Sequence, residues 1–179
     1  MGIPLLSLML ILNLSTICQG VVEDKYLLTK HFRIPVNGVL EGSRILGYEP
    51  AEGDCDEGQK NYFVFKGSIQ DLNNFTNKVT IIESWTRLKE MRGKYFESGL
   101  LNKITSSDFS EYNFAVVLIV FFGTQHLENG RLYEDNHKLY FSYEIWEKQF
   151  NEVPACAWER LYVLKLGKSP SNESLPDRR

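Results

Sequence analysis

Three groups of residues in this chain carry side chains that could do chemistry. The histidines are His31, His126 and His137, and His126, Glu128 and His137 flank an Asn129-Gly130 pair that reads as a hairpin turn. Imidazole nitrogens and a carboxylate are zinc ligands when three or four converge. The spacing here matches no compact ligand pattern, so the three are read as solvated hairpin residues and no metal ligand is assigned. Asp54, Asp56 and Glu57 offer the oxygen ligands that calcium takes, but without the regular ligand positions of a calcium loop, and they read as an acidic turn. There is no Gly-rich phosphate cradle, nucleophile elbow or His-Glu-x-x-His stretch, so no catalytic or cofactor-binding residue is assigned. A serine, histidine and carboxylate brought together only by folding would make a secreted hydrolase.

The third group is the cysteines, and their reading depends on compartment. The first twenty residues contain no charged side chain and an apolar run from Ile3 to Leu12, then small or polar residues up to Gly20. That pattern reads as a secretory signal cleaved before Val21, too short for a spanning helix, which needs about 20 apolar residues. Cys18 leaves with it, and Cys55 and Cys156 remain as an even pair in an oxidising compartment, most simply a disulfide. Closing a loop of about 100 residues stabilises a fold by up to about 4.7 kcal/mol on the chain-entropy model. A reactive thiol finds no support in the acidic setting of Cys55, Gly-Asp-Cys-Asp-Glu-Gly. Export also makes sequons meaningful. Asn74-Phe75-Thr76 reads as a glycosylation acceptor on a surface loop, and Asn172-Glu173-Ser174 as one on the C-terminal tail.

All 20 basic and 23 acidic residues lie after Gly20, so the exported part keeps the formal charge of −3. Such a balance offers no strong field to nucleic acid or to an anionic membrane. A residual 159 residues (179 less 20) suffice for one domain, expected over 21–168, with a polar tail over 169–179 expected to be disordered.

The elements that must position these residues follow from periodicity. Lys25 to Ile34 reads as a strand, and Asn37-Gly38 as the turn of a first hairpin returning through Val39 to Tyr48. Tyr62 to Phe65 and Val79 to Ile82 are short strands, with a polar stretch from Gly67 to Lys78 between them. Ser84 then precedes Trp85, Leu88, Met91 and Tyr95 at three- and four-residue steps, which predicts one amphipathic helix capped by Ser84. Phe63 to Phe75 and Val79 to Met91 share a strand-Ser-helix rhythm, treated as coincidence. The eight apolar residues Ala115 to Phe122 are too few to span a membrane and rich in β-formers; their lack of alternation predicts a central strand covered on both faces. Further turns are expected at Glu128 to Arg131 and Glu134 to His137. Lys138 to Trp146 alternates, with Leu139, Phe141, Tyr143 and Ile145 on one face and Tyr140, Ser142, Glu144 and Trp146 on the other. Arg160 to Leu166 supplies a last strand.

The expected class is therefore α+β, a mainly antiparallel sheet as a sandwich or partly open barrel, with one main helix. Tyr140 and Trp146, on the less apolar face of their strand, are the candidate binding residues, since rings with a polar handle suit both cores and interfaces.

The order of signals also resembles a known family. A strand, then Ser-Trp-Thr-Arg-Leu-Lys-Glu-Met as a helix, an Asp108-Phe109-Ser110 turn, and a valine-rich strand ending in Gly123 are similar to the C-terminal domain of PrcB-like protease-complex stability proteins. The resemblance extends over about Val79 to Lys168 and takes in the segments around Tyr140 and Tyr162. The family's Gly-Gly-Tyr after the central strand is replaced by Gly123-Thr124-Gln125, so no functional residue is carried over. What the resemblance implies is a small non-catalytic extracytoplasmic domain that binds and stabilises a protein partner, such as a protease. The resulting expectation is a secreted, non-catalytic binding domain without cofactor, the alternative being a lipocalin-like carrier of a small apolar ligand.

Overall fold

The computed structural model describes residues 26–51, 63–123, 125–148 and 157–168. The predicted signal, Cys55, Cys156, the acidic Asp54–Glu57 turn and Asn172 lie outside them. No helix among the described residues is long and apolar enough to cross a membrane.

The chain is mainly antiparallel sheet with few helices. Its strands are β1 (Tyr26–Val36), β2 (Val39–Pro50), β3 (Phe63–Phe65), β4 (Val79–Ile82), β5 (Phe96–Ser98), β6 (Tyr112–Phe122), β7 (Gln125–Asp135), β8 (Lys138–Lys148) and β9 (Ala157–Gly167). The helices are α1 (Ile69–Phe75), α2 (Trp85–Lys94) and α3 (Gly99–Asn102), followed by a 3-10 turn at Ser106–Ser110. Three sheets form, in the orders β1-β8-β7, β2-β9-β6-β4 and β3-β5, and they are open sheets, not a closed barrel.

Strand β6 explains the layering. It pairs with β9 from Tyr112 to Phe122 and with β4 from Phe114 to Val117, so it lies inside its sheet. Its alternate side chains enter two separate cores. Phe114, Val116 and Leu118 join Leu88, Met91, Phe96 and Leu161 beneath the helices and the β3-β5 ribbon. Ala115, Val117, Ile119 and Phe121 join Leu139, Phe141, Tyr143 and Leu164 against the three-stranded sheet. Both faces are covered, which is why the run does not alternate in polarity. Each large apolar side chain so buried contributes roughly 1.5–3 kcal/mol.

Helix α2 forms as its spacing predicts. The Ser84 hydroxyl accepts from the Arg87 N–H at 3.2 Å, and Leu88 and Met91 are fully buried. The polar stretch before β4, expected to carry Asn74 on a surface loop, contains instead the short helix α1. There Ser68 and Asp71 form a reciprocal capping box, with Phe75 driven into the core. The strand-Ser-helix rhythm is thus a real structural parallel: β3 and β4 are each followed by a serine-capped helix on the same core.

Two turn expectations are corrected. β1 and β2 do not form a hairpin: β1 pairs with β8 and β2 with β9, so Asn37-Gly38 carries the chain between the two sheets. Turn chemistry reverses the chain but leaves open whether the flanking strands bond to each other. Here Phe32, Ile34 and Ile45 find cover by facing one core from opposite layers. Asn129-Gly130 is no hairpin turn either. It is a bulge inside β7, with Asn129 at φ 56° and the register with β8 shifting between Glu128 and Arg131. The reversal comes at Asn136 and His137, both at positive φ, as expected for Glu134 to His137. Gly130 is required by a close approach, since a Cβ there would lie 2.8 Å from the Tyr162 ring.

Candidate binding face

The alternation of β8 decides which side chains are presented. Leu139, Phe141, Tyr143 and Ile145 are buried between the sheets, and the opposite set turns outward on the three-stranded sheet. Register then assembles rows across that outer face: Tyr140 lies between Pro35 and Tyr133, Ser142 between Arg33 and Arg131, Glu144 between His31 and Glu128, and Trp146 between Leu28 and His126.

At one end the Tyr133 and Tyr140 rings stack at 5.7 Å, and the Arg33 guanidinium carbon sits 3.9 Å from the Tyr140 ring centre. Asp135 pairs with the same guanidinium and holds Arg33 protonated beyond its ordinary range. Arg131 approaches Tyr133 at 5.7 Å, so a Tyr-Tyr pair is flanked by two arginines. In the middle, Glu144 accepts from Asn129 Nδ2 at 2.7 Å and from Trp146 Nε1 at 3.1 Å, and these bonds hold its carboxyl below the usual range. At the far end Leu28 and Tyr26 are about half exposed, and Tyr26 lies 5.9 Å from His126. Among the described residues no element packs on this face.

The two residues singled out from sequence, Tyr140 and Trp146, do share this face, but six positions apart, about 20 Å along the strand. They form two separate patches. Arg33, Arg131 and Tyr133 were not singled out. Each shows as the outward member of an alternating strand, but their meeting depends on the β1-β8-β7 register, and pairing β1 with β2 would have sent Arg33 elsewhere.

The residues weighed as zinc ligands, His126, Glu128 and His137, are not all brought together. His126 is 3.2 Å from Glu128, whereas His137 pairs with Glu134 at 3.5 Å at the other end of β7, roughly 30 Å away. Among the described residues no group of three His, Cys, Asp or Glu is placed to hold a metal ion. Asn74 is exposed on the last turn of α1, not on a loop; in its sequon Phe75 is buried and the Thr76 hydroxyl donates to the Leu72 carbonyl at 2.8 Å. The carboxyl–hydroxyl pairs serve caps: Ser68 with Asp71, Thr105 with Asp108, and buried Ser98 with Glu49.

Comparisons with models of protein families, with curated proteins and with solved structures find no match for this chain.

Proposed function

We propose that this protein is an exported, non-catalytic binding domain that contacts a protein partner through the outer face of the β1-β8-β7 sheet. The observation that carries the reading is the Arg33-Tyr140-Tyr133 stack on the outer face of that sheet, where no described element packs. Tyr, Trp and Arg are the residues most enriched at interface hot spots. Here they are held in place by Asp135, by Glu144 and by each other, so little side-chain entropy remains to be lost on binding. Stabilisation of a protease is the partner role that the PrcB-like resemblance implies.

Export is part of the proposal, and with it the Cys55–Cys156 disulfide. Its support is that the described ends nearest the two cysteines meet: the Ala51 N–H donates to the Glu159 carbonyl at 3.0 Å, and β9 begins at Ala157. The carrier reading draws no support from this architecture, since the sheets are open and the space between them is filled by Phe141, Tyr143 and Ile119.

The test is affinity capture from the native extracellular medium with the wild-type protein and with Arg33→Glu and Tyr140→Ser variants. A stoichiometric protein retained by wild type and lost by both variants supports the reading. One retained equally by all three, or none at all, overturns it.

A further inference from the structure

On the far side of the four-stranded sheet from that face, the helical layer holds a cleft of about 830 Å³ bordered by Lys66, Trp85, Lys89, Arg92, Asn102 and Thr105. The spacing of Trp85, Lys89 and Arg92 (i, i+4, i+7) puts all three along one side of α2; Leu88 and Met91 are buried on the adjoining side, and Trp85, at the boundary, is partly buried against the same core. Lys66 is matched by Glu97 at 2.7 Å. Lys89 and Arg92 are not matched: among the described residues neither makes an ion pair, and each holds its charge 6.0 Å from the centre of the Trp85 ring. The chain as a whole is acidic, at −3, so two unneutralised cations flanking an indole in a concavity are a local reversal of its charge.

We propose that this cleft binds an acidic oligosaccharide, a short glycan bearing sulfate or carboxylate groups. The indole offers a flat apolar surface for the C–H face of a sugar ring. Lys89 and Arg92, each 6.0 Å from the indole, are close enough to receive its anionic substituents, and Thr105 and Asn102 bring hydroxyl and amide groups to the cleft's lining for sugar hydroxyls. The volume lies within the usual range for a small-ligand site, about 300–1,000 Å³. A single-stranded nucleic acid fits less well. Such sites stack successive bases on several aromatic platforms along a basic track, whereas Phe96, the other ring bordering the cleft, is fully buried.

The experiment titrates the purified full chain with a heparin-derived tetrasaccharide, its desulfated and N-acetylated counterpart, and a single-stranded oligonucleotide of similar charge. Binding is followed by tryptophan fluorescence and calorimetry. The sulfated sugar binds best, with an affinity that falls with salt at a log–log slope of about −2, as release of counterions from two contacts requires. Trp85→Phe abolishes the fluorescence change, and Lys89→Gln with Arg92→Gln weakens binding at least about tenfold. All three substituted side chains are at least partly solvent-facing, and an unchanged near-UV spectrum verifies the fold. Equal affinity for the oligonucleotide, unchanged affinity in the double variant, or dissociation constants weaker than about 1 mM for the sulfated sugar would each overturn the proposal.

Discussion

Glu49 is fully buried near the end of β2, and its substitution by alanine is the sharpest test of how the helical layer is fixed to the sheet. One carboxyl oxygen accepts from the Leu100 N–H at 2.8 Å and the other from the Ser98 hydroxyl, so a single side chain ties β2 to the first turn of α3. Gly99 between them is needed for this approach, since a Cβ there would lie 2.9 Å from a Glu49 oxygen. Alanine removes both acceptors and leaves two donors, the Ser98 hydroxyl buried and the Leu100 N–H partly buried, without a partner. A stranded buried donor costs about 1–3 kcal/mol, so the pair costs about 2–6 kcal/mol. For a domain of this length that lowers Tm by roughly 5–20 °C. Glutamine keeps an acceptor for Leu100 and presents its amide to a Ser98 hydroxyl able to accept, so Glu49→Gln costs about 1 kcal/mol. Urea unfolding gives both values, and hydrogen exchange at the Leu100 and Leu101 amides reports the loosening locally. The reasoning is refuted if alanine and glutamine cost the same, or if alanine changes stability by less than about 1 kcal/mol with Leu100 still protected.

Gly130→Ala drives a Cβ to 2.8 Å from the Tyr162 ring and costs about 1–3 kcal/mol, a penalty mostly removed in a Tyr162→Leu background; equal penalties in the two backgrounds would mean that the bulge is misdescribed. Leu118→Ala in the buried centre of β6 costs about 2–5 kcal/mol by urea unfolding, whereas Phe122→Ala, 60% exposed at the end of the same strand, stays within about 0.5 kcal/mol. Burial, and next the neighbouring Tyr162, raise the Tyr143 hydroxyl well above its ordinary range, so the folded protein keeps a proton that an unfolded tyrosine releases near pH 10. Above about pH 10 the unfolded state binds fewer protons, and stability falls as pH rises. Tyr143→Phe loses the 2.8 Å bond to Asn77, costs about 1 kcal/mol at neutral pH, and flattens the alkaline decline in unfolding curves taken from pH 7 to 12.

Much of this molecule was legible as sequence because local patterns report local environment. The eight-residue apolar run announced a strand covered on both sides, the period of Trp85, Leu88 and Met91 announced a helix with one buried stripe, and the alternation of β8 separated its core face from its outer face. Other signals were ambiguous by nature. Asn-Gly favours left-handed backbone equally in a hairpin, in a bulge and in a connection between layers, and the chain uses it for the last two. The short helix α1 was hidden because its stability comes from a capping box and one buried phenylalanine, too little pattern to register over seven residues.

What the sequence alone determined was the identity of the buried strands and the faces they turn inward, since burial is written in the period of the apolar residues. Which strands lie side by side was decided only by tertiary packing. Hydrogen-bond ladders are chemically alike, and the choice among partners depends on how whole faces cover one another. Both candidate sites depend on tertiary packing: Arg33 reaches Tyr140 through the pairing of β1 with β8, and Trp85 on α2 shares one cleft with Asn102 at the end of α3 and Thr105 just beyond it.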